Sequence, residues 1–268
     1  NGTLRQRLGE LQSGADNGVW ARMFGGKLGG DEFTNKYKTY QLGYDAQAGD
    51  WLVGAAYEYS DGNLNYTSGS GENKIGAISL YGTLQGKDNS ALDIVVKRGR
   101  IYGDMDIYGK YSDQGDYSTD ATSIGVEYSK RFVGGNNVYF EPQAQLTFGR
   151  IDGYDYVSAK GIRVAYDDIN SLIGRLGIVA GKAFSRGDVY VKASLLHEFS
   201  GDSSVTMLAA NGESYMEDQD YGDTWLEVGI GGNITLGKNC ELYGDVERSF
   251  GGDVTKNWGA NVGFRYSF

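Results

Sequence analysis

The sequence predicts an all-β protein, a twelve-stranded antiparallel transmembrane β-barrel with an N-terminal α-helix inside the pore. Three observations lead to this fold class. Apolar and polar residues alternate with a period of two along most of the chain, and the polar connections between those segments alternate in length. The composition, with 43 Gly, 21 Tyr and one Pro in 268 residues, suits many strands joined by turns and supplies aromatic residues for two membrane interfaces.

Composition and charge also exclude several classes of protein. The mean hydropathy is -0.43 and no apolar run is long enough for a membrane-spanning helix. A formal net charge of -10 without a basic tract argues against nucleic acid as a partner, because phosphates would be repelled. A single histidine, His197, and a single cysteine, Cys240, leave no intramolecular disulfide and few metal or catalytic constellations. We therefore predict no cofactor and no metal.

Residues 1–16 are predicted to form the helix, and with Asn17 they make up the predicted linker, 1–17. Leu4, Leu8 and Leu11 share one face at helical spacing, and polar residues surround them. At ~1.5 Å per residue such a helix is about 24 Å long, close to the roughly 25 Å apolar band of an outer-membrane barrel. A helix lying on a membrane surface is the alternative. The chain does not start with a signal peptide, so we expect it to be a mature or excised piece of a longer exported chain.

Twelve strands are predicted from Gly18 onward. In the last one, every even-numbered residue from Trp258 to Phe268 is apolar or aromatic, and every odd-numbered residue is glycine or polar. Which face of the first strand points inward, around Trp20 and Phe24, stays open. The predicted strands span residues 18–26, 36–46, 50–60, 74–85, 90–101, 119–132, 137–150, 169–184, 188–200, 221–235, 239–249 and 257–268.

The connections alternate between short turns and long polar segments. In an outer-membrane barrel this pattern distinguishes the periplasmic rim from the outer rim, so we predict periplasmic short turns and extracellular long connections. The connection 61–73, rich in Gly, Ser and Asn, is predicted to be a mobile outer loop. The long connections are predicted at residues 27–35, 61–73, 102–118, 151–168, 201–220 and 250–256.

Polar residues on one face of the strands supply the predicted pore lining. A twelve-stranded barrel is too wide for side chains alone to fill, and a helix about 10 Å across fits its lumen as a plug. We expect Arg5 and Arg7 of the helix to pair with acids of the lining, each wet pair contributing ~1 kcal/mol or less. The predicted lining comprises Glu141, Gln143, Gln145, Arg175, Glu227, Glu241, Asp245, Glu247 and Arg265. The predicted plug residues are Leu4, Arg5, Arg7, Leu8 and Leu11.

Four segments carry a resemblance to a known family. They are Leu4-Arg-Gln-Arg-Leu-Gly-Glu-Leu11, Gly18-Val-Trp-Ala-Arg22, Glu141-Pro-Gln-Ala-Gln-Leu146, and Phe250-Gly-Gly-Asp-Val-Thr-Lys-Asn-Trp258 leading into Gly263-Phe-Arg-Tyr-Ser-Phe268. Together they resemble the C-terminal translocator (β) domain of bacterial autotransporters, the type V secretion proteins. The resemblance covers essentially the whole chain.

The resemblance implies an outer-membrane translocator that secretes an N-terminal passenger domain of its own chain, with the linker helix plugging the pore afterwards. It implies a linker helix over 1–17, a barrel over 18–268 and a monomer. Expected partners are the passenger, which is absent from this chain, outer-membrane lipids and lipopolysaccharide, and the barrel-assembly machinery. The family's assembly signal falls on Phe264, Tyr266 and Phe268.

Alternatives to this function stay open. A passenger-less outer-membrane channel or adhesin barrel would show the same strand pattern. Some relatives of the family cut their own linker helix with an asparagine and a nearby acid, so Asn1 with the lumen acids is a hypothesis of autoproteolysis; otherwise no enzyme activity is expected. His197 is predicted to be structural. The loop acids Asp152, Asp155, Asp167 and Asp168 are predicted to be solvated and not to bind calcium, because they lack EF-hand spacing.

Overall fold

The computed structural model describes residues 17–30, 33–110, 112–201, 203–209, 211–219 and 222–268. Of the predicted linker helix, 1–17, all but Asn17 lies outside the described residues. The described residues contain one short 3-10 turn, Gly135–Asn137, and none of them belongs to a helix with the length and hydropathy of a membrane span. The strands are β1 Gly18–Gly29, β2 Phe33–Ala48, β3 Trp51–Tyr66, β4 Gly69–Gln85, β5 Ser90–Ile107, β6 Asp113–Lys130, β7 Phe132–Val133, β8 Val138–Ile151, β9 Tyr154–Val157, β10 Arg163–Tyr166, β11 Ile169–Phe184, β12 Gly187–Glu198, β13 Ser203–Leu208, β14 Ser214–Gln219, β15 Asp223–Thr235, β16 Cys240–Phe250 and β17 Thr255–Ser267.

Twelve of the strands close into one antiparallel barrel, which confirms the predicted all-β barrel. They are β1 to β6, β8, β11, β12, β15, β16 and β17, each paired with its neighbours in chain order. The first and last strands close the ring, with Gly18 opposite Ser267, and we call this β1–β17 pairing the seam. Closure leaves no unpaired strand edge, as the hydrocarbon interior of a membrane requires.

The outward face of the barrel is apolar and the inward face is polar. In β17, Trp258 is 52% exposed and points outward, whereas Arg265 is 1% exposed and points into the lumen. Outward aromatic rings also gather at the short-turn rim, where Tyr44 stacks on Phe268 with ring centroids 6.4 Å apart. Aromatic residues at both ends of an apolar belt are typical of transmembrane barrels.

Large inward aromatic rings lie over glycines of neighbouring strands. Trp20 is buried in the lumen, which resolves the open face of β1, and its indole occupies the space above Gly43. A Cβ atom at Gly43 would lie 2.3 Å from that indole, so only glycine leaves room for it. The same arrangement pairs Tyr81 with Gly54, Tyr139 with Gly181, Tyr190 with Gly231 and Tyr243 with Gly263.

The strands extend further at the long-connection rim than their sequence predicts. The prediction of a mobile loop over 61–73 is wrong, because β3 and β4 continue as a paired hairpin as far as Tyr66 and Gly69. The hairpin of β5 and β6 likewise extends to Ile107 and Asp113. Gly, Ser and Asn occupy these strand ends, so the apolar contrast that signals a strand is missing although the chain is still extended.

A second, four-stranded sheet lies at this rim, in the order β14-β13-β10-β9. It is formed by residues predicted to be loops, 151–168 and 201–220. Three of its tyrosine contacts join it to β6: Tyr154 stacks on Tyr117 with centroids 4.5 Å apart, and Tyr156 lies against Gly115 and 6.5 Å from Tyr117. Because Gly115 and Tyr117 share the parity of the inward residues of β6, the sheet lies on the lumen side of the extended hairpins.

Ionisation of these tyrosines should destabilise the second sheet. Burial raises the pKa of Tyr156 to about 12 and raises the pKa of Tyr154 further above its ordinary value. An unfolded tyrosine ionises near pH 10. The neutral tyrosines therefore stabilise the folded sheet fully below about pH 10. This stabilisation is lost as the pH rises through their raised folded pKa values, because the unfolded sheet releases protons that the folded sheet keeps.

We expect a Tyr154→Phe variant to lack one phenol that ionises only at a pH well above 10. The difference between the phenolate absorbance titrations of the wild type and of Tyr154→Phe should have its midpoint well above pH 10. A midpoint near pH 10, the value for free tyrosine, would contradict the burial of this ring.

Candidate functional site: the barrel lumen

The candidate site is the polar lumen enclosed by the inward faces of the strands. All nine residues predicted to line a pore lie on this face. Glu141, Gln143, Arg175, Asp245 and Arg265 are buried there. Gln145, Glu227, Glu241 and Glu247 are partly exposed to the lumen.

A bidentate ion pair joins the seam to β2 at the short-turn end of the lumen. The Arg265 guanidinium donates to both carboxylate oxygens of Asp45, at 2.5 and 2.9 Å, and both side chains are fully buried. Tyr81 donates to Asp45 at 3.0 Å, and the Trp20 indole donates to the Tyr81 hydroxyl at 2.6 Å. The planar guanidinium matches the carboxylate, so this pair fixes the relative positions of β1, β2, β4 and β17.

A second buried group lies on the opposite wall at the same end. The Arg131 guanidinium donates to Glu141 at 2.7 Å and stacks 4.1 Å from the centroid of the Tyr139 ring. Tyr139 in turn donates to Asp188 at 3.1 Å. With the Asp45–Arg265 pair, these contacts place buried, hydrogen-bonded side chains on two walls of the lumen at the short-turn end.

Arg175 organises the middle of the lumen wall across four strands. Its guanidinium pairs with Glu127 at 3.1 Å and donates to Gln145 at 3.0 Å. It also reaches Ser194 at 3.1 Å and Gln143 at 3.3 Å. A single guanidinium with five N–H donors thus satisfies acceptors on β6, β8 and β12.

Lysines and acids alternate along the wall formed by β12, β15, β16 and β17. Lys192 pairs with Asp245 at 2.7 Å and with Glu247 at 2.9 Å. Lys256 pairs with Glu247 at 2.5 Å and with Glu227 at 3.2 Å. We call these five residues the acidic wall, because three carboxylates share two ammonium groups.

Glu241 adds a further carboxylate beside the acidic wall. Among the described residues, its side chain has neither a hydrogen bond nor an ion pair. Arg22, on β1, donates to Asn261 at 2.6 Å, and Asn261 donates to Asp245 at 3.1 Å. The acidic wall therefore connects to the seam, and it carries one more carboxylate than ammonium groups.

Several lumen residues were not predicted from the sequence. Asp45 and Glu127 lie in predicted strands, at positions that alternate with the apolar face. That alternation alone indicates that both side chains point into the lumen. Lys256 lies in a predicted connection, but β17 begins at Thr255, and its pairing with β1 shifts by one residue at Asn257. Further unpredicted residues are Trp20, Arg22, Tyr81, Arg131, Tyr139, Asp188, Lys192, Ser194 and Asn261.

Residues considered for other chemistry lie elsewhere. The ring of His197 faces outward, and its Nδ1 lies 2.7 Å from the Thr224 hydroxyl. Cys240 is half-buried at the start of β16. The loop acids are held by neighbours: Asp152 and Asp168 pair with Arg150, Asp155 pairs with Arg163, and Asp167 accepts from Ser204. In the described ranges, no three His, Cys, Asp or Glu residues are grouped as metal ligands.

Loss of the Asp45 carboxylate should destabilise the barrel strongly. In Asp45→Ala the Arg265 guanidinium stays buried without its counter-charge, and we expect the free energy of unfolding to fall by about 3 kcal/mol or more. Urea unfolding in lipid vesicles, followed by tryptophan fluorescence, measures this change. The control is Asp155→Ala, which removes an exposed pair and should cost less than about 1 kcal/mol. Equal losses in the two variants would show that the buried pair has no special role.

Known proteins share the sequence pattern of this barrel. Residues 19–247 match the family model described as Autotransporter beta-domain. The pertactin autotransporter of Bordetella parapertussis is 30% identical over 99% of this chain, and the BrkA autotransporter of Bordetella pertussis is 29% identical over 99% of it. The chain spans 30% and 28% of the length of these two relatives.

Solved structures show the same fold. The β domain of the Bordetella autotransporter BrkA superposes with a TM-score of 0.78 at 26% identity, covering 95% of this chain and all of that one. The translocator domain of NalP from Neisseria meningitidis superposes with a TM-score of 0.77 at 13% identity, covering 98% of this chain and 92% of that one. The resemblance that the sequence suggested is confirmed, and the chain belongs to the autotransporter β-domain family, whose barrels are integral to the bacterial outer membrane.

Proposed function

We propose that this chain is an outer-membrane translocator that mediates secretion of an N-terminal passenger domain of its own polypeptide. The observation that carries the proposal is a closed barrel with an apolar outer face and a lumen lined by polar and ion-paired side chains. A polar lumen lets a polypeptide pass because its backbone groups stay solvated while the outer face remains in lipid. The family of the chain and its translocator-domain neighbours support the same function.

The proposed orientation puts the short turns in the periplasm and the long connections outside. Both ends of the barrel lie at the short-turn rim, where Phe268 donates its backbone N–H to the carbonyl of Asn17 at 2.9 Å. A segment that precedes Asn17 therefore begins beside the periplasmic mouth of the lumen. The second sheet is on the opposite, extracellular rim in this orientation.

The linker helix is proposed to plug the lumen after secretion. Glu241 offers its carboxylate to a cationic segment, and the acidic wall beside it carries one more carboxylate than ammonium groups, which suits Arg5 and Arg7 of the predicted helix. From Asn17 to Arg7 is about 15 Å along a helix, enough to bring the arginine to the middle of the lumen. Each pair in this wet site contributes ~1 kcal/mol or less, so the plug is held by several weak contacts.

The C-terminal residues are proposed as the assembly signal read by the barrel-assembly machinery. Phe264 and Tyr266 are exposed on the outward face of β17, the strand that closes the ring, and the exposed Phe268 directly follows that strand. The remaining proposed partners are the passenger and outer-membrane lipids including lipopolysaccharide, with the barrel acting as a monomer and without nucleic acid.

A channel or adhesin barrel without a passenger is the second candidate. Autoproteolysis of the linker stays a hypothesis, since Asn1 lies outside the described residues. The inward acids that would assist a cleavage are largely engaged in ion pairs, as Glu141 is with Arg131 and Asp45 is with Arg265. We therefore propose a transport role and no catalytic one.

Removal of the helix should open the pore. Deleting residues 1–16 is expected to raise single-channel conductance in planar bilayers several-fold, because the polar lumen would then fill with water and ions. The variant Arg5→Gln/Arg7→Gln keeps the helix and removes two charges, so it should show brief openings between the two levels. An unchanged small conductance after the deletion would mean that the helix does not plug the lumen.

Secretion itself can be tested with a reporter passenger. A polypeptide fused before Asn1, behind a signal peptide, should become accessible to added protease on intact Gram-negative cells. Deleting Phe268 should reduce both the protease accessibility of the reporter at the cell surface and the amount of folded barrel, because assembly precedes export. A reporter that stays in the periplasm although the barrel is fully folded would favour a channel or adhesin barrel without a passenger.

A further inference from the structure

The outer surface of the barrel has two apolar depressions on either side of Trp258. The first trough, about 600 Å³, is lined on its outward side by Met23, Gly25, Lys38 and Tyr40. The second trough, about 690 Å³, is lined by apolar residues of β11, β12, β15 and β16 and by Arg248. Trp258 and Ala260 line both. Small residues on the outward face, Gly25 and Ala260 among them, make these concave places in the wall.

Basic residues lie along the long-connection side of the two troughs. Lys36 and Lys38 line the first trough, and Lys27 lies directly opposite Lys36 in the β1–β2 register. Arg248 occupies the corresponding edge of the second trough. Asp61 is the single acid on the first trough, so this sector is locally basic although the whole chain carries a net charge of -10.

These bases differ from the other outward bases at the same rim. Lys74 pairs with Glu72 at 3.4 Å, and Arg98 and Arg100 both pair with Asp120, at 3.1 and 3.5 Å. Arg150 likewise pairs with Asp152 and Asp168. By contrast, no described residue forms an ion pair with Lys27, Lys36, Lys38 or Arg248.

We propose that this sector is a binding site for the phosphorylated, multiply acylated glycolipid of the outer leaflet, the lipid anchor of lipopolysaccharide. Its phosphates lie against Lys36 and Lys38, and its acyl chains occupy the two troughs beside Trp258. The proposal rests on the proposed orientation, because only with the long connections outside does this edge reach the outer leaflet. Amphipathic aromatic rings such as Trp258 and Tyr40 suit the boundary between headgroup and acyl chains.

Charge complementarity favours an anionic lipid over a protein partner. Each basic residue near an anionic lipid surface contributes about 1 kcal/mol of attraction, and the apolar troughs add burial of acyl chains. A ligand must supply negative charge at one level and several apolar chains directly below it, and a phosphoglycolipid does both.

Binding by the folded chain in detergent micelles tests the proposal, with native mass spectrometry as the readout. The probes are bisphosphorylated lipid A, dephosphorylated lipid A, phosphatidylglycerol and inorganic phosphate. Loss of two lysines should weaken binding of bisphosphorylated lipid A roughly thirtyfold in Lys36→Gln/Lys38→Gln. The matched control Arg98→Gln/Arg100→Gln removes two outward, ion-paired bases from the same rim and should bind nearly as the wild type does.

A third variant separates the acyl chains from the phosphates. Ala260→Leu fills the floor shared by the two troughs without changing charge, and we expect it to weaken lipid A binding several-fold while the barrel stays folded, as checked by circular dichroism. Equal binding by the wild type and Lys36→Gln/Lys38→Gln would overturn the proposal. So would binding of dephosphorylated lipid A, phosphatidylglycerol or inorganic phosphate as tightly as bisphosphorylated lipid A. Because binding in micelles needs no secretion, this result and the reporter experiment can fail separately.

Discussion

The requirement that every backbone polar group be hydrogen-bonded in hydrocarbon determines the rest of this structure. It forces the first strand onto the last, and the seam between β1 and β17 meets that requirement with twelve paired positions. The Asp45–Arg265 pair then holds the seam to β2 from inside. Everything else, from the apolar belt to the ion-paired lumen, follows from a sheet that has no edge and therefore has only an inside and an outside.

The alternation of residue types made the barrel predictable, because a period of two has a direct physical meaning in a sheet with one lipid face. The alternation does not predict a strand where the apolar and polar faces no longer differ in residue type. The ends of β3 and β4 carry Gly, Ser and Asn on both faces, so Tyr66 and Gly69 looked like loop residues. Likewise, four short strands of the second sheet lie within segments whose tyrosines face one another and not lipid.

The lumen was predictable as a surface but not as a set of contacts. Parity indicated that Arg175 and Glu227 face inward, yet their partners lie far away along the chain. Arg175 meets Glu127 across 48 positions, and this requires the register of β6, β8 and β11. The spacing of the two residues in the sequence carries no information about how far along their strands they lie. The glycine that admits a ring, such as Gly43 under Trp20, is equally invisible until the neighbouring strand is placed.

The seam also has a consequence for the timing of biogenesis. It pairs residues from the two ends of the barrel, Gly18 with Ser267, so the ring cannot close before Ser267 has been synthesised. Contacts so distant along a chain form late, after the entropy of a very long loop has been overcome. Any segment of the same polypeptide that precedes the barrel is therefore synthesised before the ring can close.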